Sequence, residues 1–132
     1  MGLFDKMFQS QRDISKKEIE EVPWTPLTNM EQLETIKKES QEQPVLIFKH
    51  STRCGISRMV LKGFENEYEV LKDTDHKMYF LDLIANRDVS NAVASRLSVQ
   101  HESPQLIVLQ DGNVVHHASH HSIQAERVKE FL

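Results

Sequence analysis

The chain has 132 residues, 39% of them hydrophobic and 27% charged, and a formal net charge of −4. That length supports one domain around one modest core and argues against a second. Acidic and basic residues are mixed along the chain, so neither nucleic acid nor an anionic membrane surface finds a basic footprint to bind.

Residues 1–22 read as an N-terminal amphipathic and charged arm, and residues 23–132 as the folded domain. In the arm Leu3, Phe4, Met7 and Phe8 fall at helical spacing ahead of a mostly charged stretch from Lys16 to Glu21. A loosely attached arm is expected, with docking to a membrane or partner as the alternative use of its apolar side. The short apolar run from Met1 to Phe8 contains Asp5 and Lys6, unlike a secretory signal, and Lys6 stands where a myristoylation site calls for Ser or Thr. No stretch approaches the roughly 18 apolar residues of a membrane span. A single cysteine cannot form an internal disulfide, so the expected location is a reducing, cytoplasmic one.

Pro23 and Pro26 bracket Trp24 and permit only a short edge strand, because proline cannot donate to a sheet ladder. From Thr28 the pattern turns helical: Thr28 or Asn29 can cap, Glu31 or Gln32 lies three residues on, and Leu33 and Ile36 follow. This helix should end near Gln43, before Pro44. Val45, Leu46, Ile47 and Phe48 then read as a strand buried on both faces, which places it centrally in a sheet. After a loop from Lys49 to Arg53, the spacing of Met59, Val60, Phe64, Tyr68 and Leu71 predicts one long amphipathic helix starting at or just after Cys54.

Met78 to Leu83 is a second buried strand, and Asp88 can cap a helix with Val89, Val93 and Leu97 on one face. A strand from Gln105 to Leu109, the Asp111-Gly112 pair and Val114-Val115 spell a β-hairpin whose turn wants positive φ. Ser122 is the expected cap of a last helix containing Ile123, Val128 and Leu132. The order is therefore β-α-β-α-β-α-β-β-α, an α/β fold with a central mixed sheet flanked by helices on both faces.

The candidate site is Cys54. It stands in Ser51-Thr52-Arg53-Cys54-Gly55-Ile56-Ser57, between the carboxyl end of a buried strand and the start of a helix. Ligand sites of open α/β sheets favour that edge. Free backbone N–H groups and the positive end of the helix dipole both favour a thiolate there, and Arg53 adds a positive charge. Isolated cysteines are often small buried hydrophobes. Cys54, however, lies outside the apolar periodicity of its helix and among polar residues, so packing does not account for it. The Ser103-Pro104 step directly precedes the hairpin's first strand, a position where an X-Pro bond is either cis or an ordinary trans connection.

The element order, the strand-Cys54-helix junction, Ser103-Pro104 before the Asp-Gly hairpin, and the closing Val128-Lys129-Glu130-Phe131-Leu132 resemble a thioredoxin-like protein from about Trp24 onward. Within that fold, Thr52-Arg53-Cys54-Gly55-Ile56-Ser57 resembles the YtxJ-type monothiol bacilliredoxins. The resemblance implies an oxidoreductase that removes bacillithiol from S-bacillithiolated protein cysteines, with bacillithiol as co-substrate and no bound cofactor. It implies Cys54 as nucleophile, Pro104 as the cis-proline, and Ser103 as a source of backbone groups for substrate. Thr52 and Arg53 join the substrate contacts, with Gly55, Ile56 and Ser57 forming the first turn over the thiolate. Arg53, Ile56 and Ser57 replace the tryptophan, proline and resolving cysteine of ordinary thioredoxins, and Phe48 stands where those keep a buried aspartate.

Without a second cysteine the chain can accept a thiol adduct but cannot expel it, so an external thiol or partner redoxin must complete the cycle. Ser57, three residues after Cys54, has a hydroxyl that can hydrogen-bond the thiolate or act as a plain helix serine. His116, His117, His120 and His121 invite a metal reading, but alternation sends His116 and His117 to opposite faces and no cysteine or carboxylate is close in sequence, so surface positions are expected. The resemblance places His120 and His121 beside the cis-proline groove, with His121 as a candidate substrate contact. Two other functions compete. Cys-Gly-Ile-Ser resembles the Cys-Gly-Phe-Ser motif of monothiol glutaredoxins, which carry iron-sulfur clusters, although such clusters need more sulfur ligands than one chain supplies here. A noncatalytic interaction domain is the third, since fold alone does not establish function.

Overall fold

Five strands form one mixed sheet in the computed structural model, which describes residues 22–132. The expected arm lies outside those residues except at its last position. Val22 is buried in the core and its carbonyl accepts the Trp24 amide at 2.8 Å.

In chain order the elements are β1 (Trp24–Pro26), α1 (Glu31–Glu39), β2 (Val45–His50), α2 (Gly55–Asn66), a 3-10 turn (Tyr68–Leu71), β3 (Lys77–Asp82), α3 (Arg87–Leu97), β4 (Gln105–Gln110), β5 (Asn113–Ser119), a second 3-10 turn (His120–Ser122) and α4 (Ala125–Lys129). Their spatial order is β1-β3-β2-β4-β5. β3 runs parallel to both β1 and β2, while β4 pairs antiparallel with β2 and β5. This is the expected mixed sheet.

Every residue of the central strand β2 is buried, because helices cover both sides. Leu46, Phe48, Leu106 and Val108 face Val60 and Phe64 of α2 and Val128 of α4. Alternation sends Val45, Ile47, Ile107 and Leu109 the other way, against Ile36 of α1 and Val89 and Val93 of α3. Burying such side chains stabilises the fold by about 1.5–3 kcal/mol each relative to exposure.

Local chemistry sets several boundaries. Asn29 Oδ1 accepts the Gln32 amide at 3.0 Å and Gln32 Oε1 accepts the Asn29 amide at 3.2 Å, a reciprocal capping box at the start of α1. That helix stops at Glu39 rather than near Gln43, because the hairpin tip takes Ser40: its carbonyl accepts the Asp111 amide at 2.7 Å and its hydroxyl the Gly112 amide at 2.9 Å. Asp111 (φ 53°) and Gly112 (φ 77°) adopt the positive φ that their sequence requires.

Other expectations need correction. α2 ends at Asn66 and tightens into the 3-10 turn instead of running to Leu71, and Met59, expected in the core, is 65% exposed. β3 starts and ends one residue earlier than predicted, at Lys77 and Asp82. Ser122 belongs to the second 3-10 turn and does not cap α4. The Ala125 amide is instead accepted by the Glu67 carboxylate at 3.2 Å, a cap delivered from the end of α2.

Candidate active site

β2 ends at His50, β4 begins at Gln105, and Lys49 pairs with Gln105 in antiparallel register. Residues 51–54 and 103–104 therefore leave the sheet side by side at one edge. The Ser103-Pro104 peptide is cis, one of the two forms the sequence left open. Pro104 is buried, and its carbonyl accepts the His120 amide at 3.0 Å. The turn that begins at His120 packs in turn against α2. One edge thus joins the Cys54 junction, the cis-proline and the histidine turn.

Cys54 is the N-cap of α2, extended at φ −108° and ψ 120°. Its amide donates to the Ser51 carbonyl at 3.2 Å and its carbonyl accepts the Arg58 amide at 3.2 Å. The amides of Gly55, Ile56 and Ser57 have no backbone acceptor among the described residues, leaving the open donors of a helix start beside the thiol. Cys54 is free and half-buried, and no hydrogen bond reaches its sulfur among the described residues. Thr52, Arg53, Gly55 and Ile56 are exposed around it. Ile56 and Met59, 48% and 65% exposed, form an apolar strip beside Arg53 and Arg58.

Ser57 is fully buried, and its hydroxyl is engaged by residues at the end of β2 and just after it. His50 Nδ1 lies 2.8 Å from Ser57 Oγ, which also accepts the Ser51 amide at 3.1 Å. One partner is the last residue of β2 and the other follows it directly, and of the two uses the sequence left open for Ser57 the bond to the Cys54 sulfur is not formed. The cause is the true length of β2: Lys49 and His50, read as loop, continue the strand and are buried. The period-two series Leu46, Phe48, His50 was the available signal, masked by the polarity of its last member.

His50 faces the α2 side, its ring 5.5 Å from that of Phe80. Burial holds its pKa below the ordinary imidazole value; Asp82 pulls it upward and Arg58 pushes it further down. Lys49 points to the opposite face, fully buried, with Nζ donating to the Ser90 carbonyl at 3.1 Å and lying 3.3 Å from His101 Nδ1. Burial brings this amine down to about 8. Phe48 is enclosed by Trp24 and Phe64, ring centroids at 5.8 and 6.0 Å, so the space under the site is aromatic.

A family model described as monothiol bacilliredoxin, BrxC, matches residues 25–128. The chain belongs to the monothiol bacilliredoxin family. Its backbone also superposes on a solved protein described as a candidate oxidoreductase with a thioredoxin fold, at TM-score 0.70 and 27% identity, over 82% of this chain and 92% of that one. Fasciola hepatica thioredoxin matches at TM-score 0.59 and 18% identity, over 80% of this chain and 93% of its own. Arabidopsis thaliana thioredoxin O2 matches at TM-score 0.61 and 16% identity, over 83% and 90%. The last two establish the fold, and that fold is thioredoxin-like, as the sequence implied. Family and fold together support a thiol oxidoreductase with thiol-based redox partners.

His116 stacks on Phe131 with centroids 4.5 Å apart and planes at 12°, while His117 is exposed on the other face of β5. Among the described residues no group of three or more His, Cys, Asp or Glu side chains could hold a metal ion. His121 is exposed on the turn against α2, and Ser103 Oγ is buried without a hydrogen-bond partner. Among the described residues no helix is long and apolar enough to cross a membrane.

Proposed function

We propose that this protein removes bacillithiol from S-bacillithiolated proteins by monothiol exchange at Cys54. The observation that carries the reading is the junction itself: a reachable cysteine caps a helix whose first amides are open, and the residue three positions on is a buried serine. Family membership supports bacillithiol as the thiol.

The Cys54 thiolate attacks the bacillithiol sulfur of the mixed disulfide. A bond forms between Cys54 Sγ and that sulfur, the old disulfide breaks, and the target cysteine departs as a thiolate that takes a proton from solvent. Ser57 offers no sulfur to displace the adduct. A second bacillithiol or a partner redoxin attacks as thiolate, carries bacillithiol away as a new disulfide and supplies the reducing equivalents. Positive charge at the helix start and on Arg53 favours the attacking anion. Ile56, Met59 and the backbone at Ser103 offer apolar and polar contacts to the target. Cys54 as catalytic residue, the named contacts and a cytoplasmic setting are parts of this proposal.

Mass spectrometry of the wild-type protein incubated with a bacillithiolated substrate should find bacillithiol on Cys54 and the substrate thiol restored. Cys54→Ala should transfer nothing; undiminished transfer by that variant overturns the proposal. Running the exchange in parallel with mixed disulfides of other small thiols tests the assignment of bacillithiol.

A further inference from the structure

α2 meets the core through Ser57, Val60 and Phe64, all buried. Its other side is open and carries two neighbouring rows at helical spacing. Ile56, Met59 and Gly63 make one row. Ile56 and Met59 are two of the four large hydrophobic side chains exposed among the described residues, and a Cβ added at Gly63 meets nothing within 4 Å. Arg58 and Lys62, one turn apart and both exposed, make the other row, and exposed Arg53 carries the positive charge on to the residue before Cys54. Among the described residues no ion pair or hydrogen bond engages the side chains of these three cations. The first turn of α2 holds no carboxylate, and the acids at its far end are occupied: Glu65 accepts the Trp24 indole N–H at 2.9 Å and Glu67 the Ala125 amide at 3.2 Å.

A chain of net charge −4 thus keeps an uncompensated positive, partly apolar face on the helix that its one cysteine caps. Exposed apolar side chains rimmed by charge have the composition of a contact surface for another protein, and three cations are too few for a nucleic-acid footprint. We propose that the outer face of α2 is the docking surface for target proteins, and that it selects targets whose modified cysteine lies in an acidic segment with an apolar side chain beside it. The inference rests on Cys54 being the exchanging group, as proposed above, and not on which thiol it removes. Cations at the rim of a contact add little affinity singly, but they steer approach and reject partners of like charge. Carboxylates around the target cysteine are drawn to the face beside Cys54 although the chain as a whole repels them, while a lysine-rich target meets three like charges there. Ile56 and Met59 take the apolar side chain, and Gly63 leaves room for it.

The test compares two peptides, each with a leucine and a central cysteine held as a mixed disulfide with bacillithiol, one flanked by glutamates and the other by lysines. The wild type should exchange the glutamate peptide about tenfold faster in kcat/KM, and the preference should fade at about 1 M salt, where the screening length is about 3 Å. The double variant Arg58→Glu, Lys62→Glu should prefer the lysine peptide. The ratio between peptides is the readout, so any change in the reactivity of the sulfur itself cancels. Equal rates for the two peptides in the wild type, or the same ratio in the double variant, overturn the proposal. Tighter binding to phosphatidylglycerol vesicles than to the glutamate peptide, or dimerisation of the wild type that the double variant abolishes, reassigns the face and also overturns it. If neither peptide is exchanged, the exchange reading fails by itself, and the surface is judged by binding. NMR spectra of Cys54→Ala with the reduced peptides should then show amide shifts over residues 56–63 for the glutamate peptide and not for the lysine peptide. No shifts, or equal shifts with both, overturn the docking surface.

Discussion

Lys49 donates from Nζ to the carbonyl of Ser90 at 3.1 Å, joining the end of β2 to α3 inside the core, with no carboxylate among its hydrogen-bond or ion-pair partners in the described residues. Its amine sits near 8 in the fold against 10.5 when free. The unfolded chain therefore binds this proton more tightly, so the fold gains stability as pH rises from about 8 to about 10.5 and is held down below that window.

Lys49→Met should for that reason be more stable than the wild type at pH 7, by up to about 3 kcal/mol as the shift converts. Its advantage should shrink by pH 9.5. Urea unfolding at the two pH values checks this, staying below pH 10 because Tyr79, whose pKa burial raises, then contributes the opposite trend. A difference that does not change with pH would show that the amine keeps its proton in the fold throughout this range, with its pKa not lowered by burial.

Ser57→Cys should convert the site into a dithiol. Positions 54 and 57 lie one turn apart at the helix start, the arrangement in which redoxin cysteines bridge. On oxidation this variant should lose two hydrogens by mass, and the adduct on Cys54 should no longer accumulate because the new thiol displaces it. Persistence of the adduct would mean that the buried position beside His50 cannot turn toward the sulfur.

Glu67→Ala removes the carboxylate that accepts the Ala125 amide. Loss of this cap should cost about 1 kcal/mol, the ordinary worth of an N-cap, and Glu67→Gln should recover part of it. Thermal unfolding of the three proteins gives the answer.

The glycines divide. A Cβ at Gly55 meets nothing within 4 Å, so Gly55→Ala should stabilise by about 0.5–1 kcal/mol through lower chain entropy and keep transfer activity. Gly112, at φ 77°, should instead lose about 1–2 kcal/mol on substitution by alanine. Chemical denaturation of both variants should move the midpoints in opposite directions.

Much of this arrangement was legible in the linear order of residues because it depends on neighbours. Two prolines around Trp24 confine β1 to three residues, Asn29 and Gln32 cap across a single turn, and Asp111-Gly112 closes a hairpin. Cys54 between an apolar strand and a helical pattern announces an exposed helix start for the same reason. The resemblance of its flanking motif then led to the family. Each is settled over a few residues, where φ preferences and short hydrogen bonds act directly.

Folding alone decided what surrounds the cysteine. Lys49 and His50 look like loop residues until α2 and α3 cover the sheet and bury them on opposite faces. Ser57 could serve the sulfur or the helix until β2, extended by two residues, brings His50 to 2.8 Å. Ser40 ends α1 because the hairpin tip, about seventy residues on, takes its hydroxyl and carbonyl, and Glu67 rather than Ser122 caps α4. A polar side chain keeps several possible partners until the packed core fixes which lies within reach, and burial then makes leaving that partner unused costly.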